Sequence, residues 1–209
     1  MRTRVRSGDP DAYAELFDSY ARTLYNHAFR MTGDWTVAED VMSAAFLEAW
    51  RLRGTVEAEG GSLRPWLLGI TTNLARNHSR SNRRYRAAAA AAAAAASAAA
   101  VPDHAEEVAG RLDDRRQIAA TLAQLGALRG PEREVILLCL HERLEYAEAA
   151  RVLGIPVGTV RSRLSRARTK LRKLAEAELR KNRRELAARS RQTYDDRAKP
   201  VRSAQEGIQ

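Results

Sequence analysis

Residues 146–168 read Tyr-Ala-Glu-Ala-Ala-Arg-Val-Leu-Gly-Ile-Pro-Val-Gly-Thr-Val-Arg-Ser-Arg-Leu-Ser-Arg-Ala-Arg. The pattern predicts two helices joined by a tight turn. Tyr146 to Leu153 makes a short helix, in which Ala149 and Ala150 are small enough for another helix to approach closely. Gly154 supplies a left-handed C-cap, Pro156 cannot continue the first helix, and Thr159 is placed to cap the second. Val160 and Leu164, four residues apart, face inward. Arg161, Ser162, Ser165 and Arg166 then point outward, with Arg163 on the flank. Base edges and phosphates call for this layout of small polar and Arg side chains at the start of a recognition helix. The alternative is an ordinary αα-hairpin in a bundle. Seven basic residues and no acid between Val157 and Lys173 weigh against it.

The whole chain is basic, but unevenly. It has 209 residues, 36 Lys or Arg and 26 Asp or Glu, for a formal charge of +10. Residues 1–86 carry 13 basic and 10 acidic residues, residues 101–156 carry 7 and 10, and residues 157–209 carry 16 and 6. A second acid-free block has five Arg between Arg76 and Arg86. Two such blocks point to two contacts with a polyanion, nucleic acid before membrane. Read singly, either block is also compatible with a solvated helix face.

Upstream of the motif the periodicity is helical and strand patterns are nearly absent. Asp9-Pro10 opens the first segment, with Asp9 as N-cap and Pro10 at the first helical position. Tyr13, Leu16, Phe17, Tyr20 and Leu24 follow, and the segment stops near Gly33. Thr36 with Glu39 forms a capping-box pattern. It opens a helix with Val37, Val41, Ala45, Phe46, Ala49 and Trp50 on its apolar face. Gly60-Gly61-Ser62 marks a loop, and Pro65-Trp66 opens a third helix reaching Arg84. Residues 87–100 are thirteen Ala and Ser97, a spacer without an amphipathic face that Pro102 ends. Leu112, Ile118, Leu122 and Leu125 predict a further helix. Gly130-Pro131 starts the next, carrying Val135, Ile136, Leu138 and Leu140. Beyond Arg191 the polar composition predicts a disordered tail.

Enzyme chemistry lacks its parts. His27, His78, His104 and His141 stand at no metal-ligand spacing to one another or to Cys139, so no metal and no cofactor is expected. There is no Gly-x-x-x-x-Gly-Lys loop and no Gly-x-Ser-x-Gly elbow. The single Cys excludes an internal disulfide framework and suits a reducing, cytoplasmic setting. No apolar run approaches the ~20 residues of a membrane span, and the N-terminus lacks the apolar core of a signal peptide.

The segment from Tyr146 to Arg168 resembles the C-terminal DNA-reading domain of bacterial sigma factors, specifically the extracytoplasmic-function (ECF) group. Two upstream stretches agree independently. Ala38-Glu-Asp-Val … Phe46-Leu-Glu-Ala-Trp-Arg51 is similar to the family's polymerase-docking helix. Arg64-Pro-Trp-Leu-Leu-Gly-Ile … Asn73-Leu-Ala-Arg-Asn77 is similar to its −10-reading segment. The resemblance covers roughly residues 9–86 and 105–173 and departs at Ser43, Ala44, Glu145 and Ala149, where other residue types are usual. It implies that Thr36–Arg51 lies on the clamp helices of the polymerase's largest subunit, with Glu39, Asp40, Phe46 and Trp50 at the contact. Phe46 and Trp50 are equally readable as core. It implies that Trp66, Asn73, Arg76, Asn77 and Arg80 meet the unpaired −10 strand, although Trp66 also suits a core anchor. It implies that Thr159, Arg161, Ser162, Arg163, Ser165 and Arg166 meet the −35 duplex.

The expected fold is all-α: two small helical domains joined by a flexible Ala-rich linker, the second containing a helix-turn-helix. The expected boundaries are 1–86, 87–104, 105–175 and a basic helical extension with its tail at 176–209. The expected partners are core RNA polymerase and promoter DNA, with an anti-sigma factor left open and no membrane insertion. A stand-alone helix-turn-helix regulator is the alternative, and an interaction protein that uses the fold without DNA is a third reading.

Overall fold

The computed structural model describes the backbone of residues 1–95 and 121–205, and every regular element among them is helical. In chain order these are α1 (Arg2–Ser7), α2 (Pro10–Thr32), α3 (Trp35–Arg51), α4 (Arg64–Ala95), α5 (described over 121–127), α6 (Gly130–Ile136), α7 (Tyr146–Leu153) and α8 (Val157–Gln205). The expected Pro102 stop and the turns carrying Leu112 and Ile118 lie outside the described residues. The chain divides into two units, Met1–Ala167 and Arg168–Gln209.

Local chemistry sets the ends of the N-terminal helices. The Asp9 carboxylate accepts from the amides of Asp11 and Ala12 at 2.9 and 3.2 Å, and Pro10 takes the first helical position. Gly33 closes α2 in the left-handed region, φ 77°, a conformation that costs glycine no Cβ clash. The start of α3 differs from expectation. Asp34, not Thr36, caps it, accepting from the Val37 amide at 3.1 Å. Asp34 meets the orphan amides directly, and Thr36 therefore falls inside the first turn.

Helices α2, α3 and α4 bury one apolar face each against one another, with Leu16, Leu24, Leu67 and Leu68 fully enclosed. His27 lies in this core, its Nε2 2.9 Å from the Thr72 hydroxyl of α4. The loop before α4 is tied down by Arg2, which donates to the carbonyls of Glu57 and Gly61 at 2.9 and 3.1 Å. The Ala run is helical through Ala95, as a direct continuation of α4. This follows from the high helix propensity of Ala.

In the second half, Val135, Leu137, Leu138, Ala149, Val160 and Leu164 are each buried. Residues Leu137–His141 widen into a π-helical turn after α6, and Cys139 is buried there. Helix α8 continues to Gln205, so residues 192–205, expected to be without regular structure, have helical backbone. Seven of these fourteen residues are Gln, Arg, Lys or Ala, which favour a helix, whereas Pro200 within the run does not.

Candidate nucleic-acid interface

The turn between α7 and α8 follows from three residues. Gly154 adopts φ 63° and ends α7, and the Ile155 amide reaches back to the Ala150 carbonyl at 3.1 Å. The Pro156 carbonyl then accepts from the Thr159 and Val160 amides at 2.9 and 3.2 Å. Helix α8 therefore starts at Val157, and Thr159 sits in its first turn rather than capping it. Proline can terminate α7 and still offer its carbonyl to α8. At the start of α7, the Glu145 side chain makes no capping hydrogen bond. The Glu148 carboxylate accepts from the Glu145 amide at 3.1 Å and supplies half of a capping box.

Val160, Leu164 and Ala167 form the buried stripe of α8. Arg161, Ser162, Ser165 and Arg166 are exposed, while Thr159 and Arg163 are half-buried. Ser162 donates its hydroxyl to the Thr159 carbonyl at 3.1 Å. Among the described residues, no carboxylate pairs with Arg161, Arg163 or Arg166. Their charge is therefore available to an external anion.

Helix α4 presents a second polar face. Asn73 and Asn77, one turn apart, are exposed together with Arg80, and Trp66 is half-buried. Arg76 is not available in the same way. Its Nε and Nη2 donate to the two carboxylate oxygens of Glu134 at 2.8 and 2.9 Å, and Nη1 lies 3.4 Å from Asn73 Oδ1.

A third surface lies on α2 and α3. Glu39 and Asp40 are exposed, Phe46 is buried, and Trp50 is partly exposed. Tyr13 packs edge-on against Trp50 at 4.8 Å between ring centroids, and the Arg53 guanidinium lies 4.5 Å over the Trp50 ring. Burial pushes the Tyr13 hydroxyl up to about 12. Phe46 meets Phe17 at 4.9 Å. Sequence reasoning missed Leu47, 67 % exposed beside Phe46, and Phe17, also exposed. Exposed apolar residues at one helical face carry that information only once the core side is known. It missed Trp35 as well, which stacks on Phe29 at 3.5 Å and remains largely exposed.

The buried carboxylates were missed too. Glu142 is 2 % exposed. Arg64 donates from Nη1 to its carbonyl at 2.6 Å and from Nη2 to its carboxylate. His27 Nδ1 stands 3.6 Å from the same carboxylate. Burial opposes ionisation of Glu142, but His27, Arg64 and His141 outweigh it and hold its carboxyl below the ordinary value.

The acid-free start of α8, set on a helix-turn-helix, and the exposed amide pair of α4 together suit a protein that meets nucleic acid. Comparison with known families agrees. Residues 16–85 match the family model Sigma-70 region 2, and residues 118–171 match Sigma-70, region 4. The chain is 34% identical to the RNA polymerase sigma factor CarQ of Myxococcus xanthus, over 82% of this chain and 93% of that protein. It is 34% identical to the ECF RNA polymerase sigma factor SigL of Mycobacterium tuberculosis, over 71% of this chain and 80% of that protein. It is 30% identical to the ECF RNA polymerase sigma factor BldN of Streptomyces coelicolor, where it spans 58% of the relative's length. Two solved structures are similar at 26% identity. CnrH in complex with the cytosolic domain of CnrY gives a TM-score of 0.64, covering 84% of this chain and 95% of that one. The sigma factor RpoE of Bartonella quintana with the anti-sigma factor NepR gives 0.58, covering 79% and 97%. The chain belongs to the RNA polymerase sigma-factor family, in its extracytoplasmic-function group. The all-α fold with its helix-turn-helix is the fold of that family.

Proposed function

We propose that the chain acts in the cytoplasm by binding core RNA polymerase and giving it promoter specificity, catalysing no reaction itself. Residues 1–86 form the docking and −10 module, 87–104 the linker, 105–175 the −35 module, and 176–209 a basic extension. The α3 face with Glu39, Asp40 and Trp50, bordered by Leu47, docks on the polymerase. Phe46 supports that face from within, since it is buried. Asn73 and Asn77 take the exposed edges of unpaired −10 bases and Arg80 tracks the strand, while Arg76 is held by Glu134. Trp66 is half-buried and supports the start of α4. Arg161 and Ser162 read −35 base edges, while Thr159, Arg163, Ser165 and Arg166 meet the backbone and flanking positions.

The observation that carries this reading is the pairing of two exposed polar faces. One is the amide pair of α4, and the other is the acid-free start of α8. An anti-sigma protein is a further partner, supported by the two similar structures being complexes with such proteins or with a partner's cytosolic domain. The test compares promoter binding by the chain alone and with core polymerase. Selective promoter binding that needs core polymerase supports the reading. Equal binding without it supports a stand-alone regulator instead.

A further inference from the structure

Helices α2 and α3 run antiparallel and meet along three aromatic pairs. Tyr13 faces Trp50 at 4.8 Å between ring centroids, Phe17 faces Phe46 at 4.9 Å, and Tyr25 faces Trp35 at 6.1 Å. The two tryptophans lie about 22 Å apart along α3, from the rise per residue. They are finished differently. At Trp50 the chain sets a cation on its own ring: the Arg53 guanidinium lies 4.5 Å over it, and Arg53 Nη1 donates to the Trp50 carbonyl at 2.7 Å. At Trp35 one ring face lies flat on Phe29, at 3.5 Å and 15° between planes. The residue is nonetheless 54 % exposed, and among the described residues no cation covers it. The stack leaves its second face to solvent.

The charge around Trp35 has one sign. From Asp34 to Trp50 the sequence carries four acids and no Lys or Arg. Among the described residues only Glu48 of the four has a basic partner, Arg51 at 3.7 Å. Glu39 is exposed and stands one turn beyond Trp35, on the same side of the helix. Burial and the Glu39 charge together push the Tyr25 hydroxyl up, which puts that carboxylate beside the Tyr25–Trp35 pair. An open indole face next to an unpaired carboxylate suits a guanidinium. Its plane stacks on the ring while its N–H groups meet the carboxylate. A nucleobase would also stack on the indole, but its phosphates would meet the same acids.

We propose that Trp35 and Glu39 form a pocket for an arginine of core RNA polymerase, which carries the docking surface from the Asp40–Leu47 face to the first turn of α3. The inference rests on the docking reading above and adds a defined partner chemistry to it. Two observations choose this occupant. The pocket is continuous with the docking face, since Trp35, Glu39 and Asp40 fall within two turns of one helix. The acids of α3, without a Lys or Arg among them, complement a basic surface. Arg53 on Trp50, at the far end of the same aromatic row, is the pairing the chain already makes within itself.

The test is competition for purified core RNA polymerase by the full-length chain and its variants, with melting temperatures measured first. Trp35→Tyr keeps a π face, whereas Trp35→Leu keeps apolar area without one. Trp35→Leu is expected to weaken core binding about fivefold, the size of an exposed cation–π contact, and Trp35→Tyr to stay near the parent. Glu39→Gln leaves the ring stack intact and is expected to weaken binding as well, so it decides the matter where Trp35→Leu melts early. The double variant should lose less than the two single losses combined, because one guanidinium serves both residues. Tyr and Leu variants that bind alike, or a folded Glu39→Gln chain that competes as the parent does, overturn the proposal. So does a Trp35→Leu loss confined to binding of a pre-melted −10 strand or to self-association, with core binding unchanged. A parent chain that does not bind core polymerase overturns the docking reading itself, and the pocket falls with it.

Discussion

Arg76 and Glu134 form a two-point ion pair, Nε to Oε1 at 2.8 Å and Nη2 to Oε2 at 2.9 Å, across 58 residues of sequence. The pair ties the polar face of α4 to the start of the helix-turn-helix half. Its consequence is that the −10 candidates are not equivalent: Asn73, Asn77 and Arg80 are exposed while Arg76 is engaged.

The amide face is tested by Asn73→Ala and Asn77→Ala. Both side chains are exposed, so neither change should lower the melting temperature. Open-complex formation should fall while binding to core polymerase stays at the parent level. A pre-melted promoter bound equally well by parent and variants would remove these residues from strand capture.

The start of α8 separates base readout from phosphate contact. Loss of a bidentate Arg–guanine contact costs about 1–3 kcal/mol and relaxes preference at one base pair. Loss of a phosphate contact weakens all sequences alike and lowers the salt slope by about one. Arg161→Ala should therefore re-rank a −35 sequence library. Arg166→Ala should lower affinity without re-ranking it. Identical rankings for parent and Arg161→Ala would turn the assignment toward Ser162 and Ser165.

The docking face makes a prediction about exposed side chains. Asp40→Ala and Leu47→Ala should weaken competition for core polymerase with little change in melting temperature. Phe46→Ala is expected to cost about 3–5 kcal/mol of stability, as its ring is buried against Phe17. Normal competition by folded Asp40 and Leu47 variants would move the docking surface elsewhere.

Glu142 predicts an acid response. It faces His27 and Arg30 of α2, Arg64 of α4 and its own neighbour His141. Its carboxyl titrates below its ordinary 4.5. The stabilisation is then complete above that value and is lost as pH falls through the lower folded one. His141 is depressed by burial and by Arg30, and acts in the same direction at higher pH. Glu142→Gln should be less stable than the parent at pH 7. It should also show a flatter decline in melting temperature between about pH 5 and 3. Parallel profiles would show that Glu142 is not the titrating group.

Much of this was legible in the sequence because it is local. Gly154, Pro156 and the Val160/Leu164 spacing define the helix-turn-helix on their own, and Asp9-Pro10 defines the start of α2. The errors were local as well: Asp34 and Thr36 both suit an N-cap, and sequence does not say which carboxylate or hydroxyl meets the amide. The two buried ion pairs were not legible. Glu134 and Glu142 read as ordinary charges in a mixed segment, and only tertiary packing brings them to Arg76 and Arg64. The exposure of Leu47 beside buried Phe46 likewise depends on how α2 and α4 cover α3.

The most direct measurement of the central claim is promoter selection by purified core RNA polymerase with and without the full-length chain. Transcription would be read out across a library randomised at the −35 and −10 positions. The account predicts initiation from a defined subset of sequences only when the chain is present, and no selective promoter binding by the chain alone. Selection from the library by the chain without core polymerase, or the same transcripts with and without the chain, would contradict it.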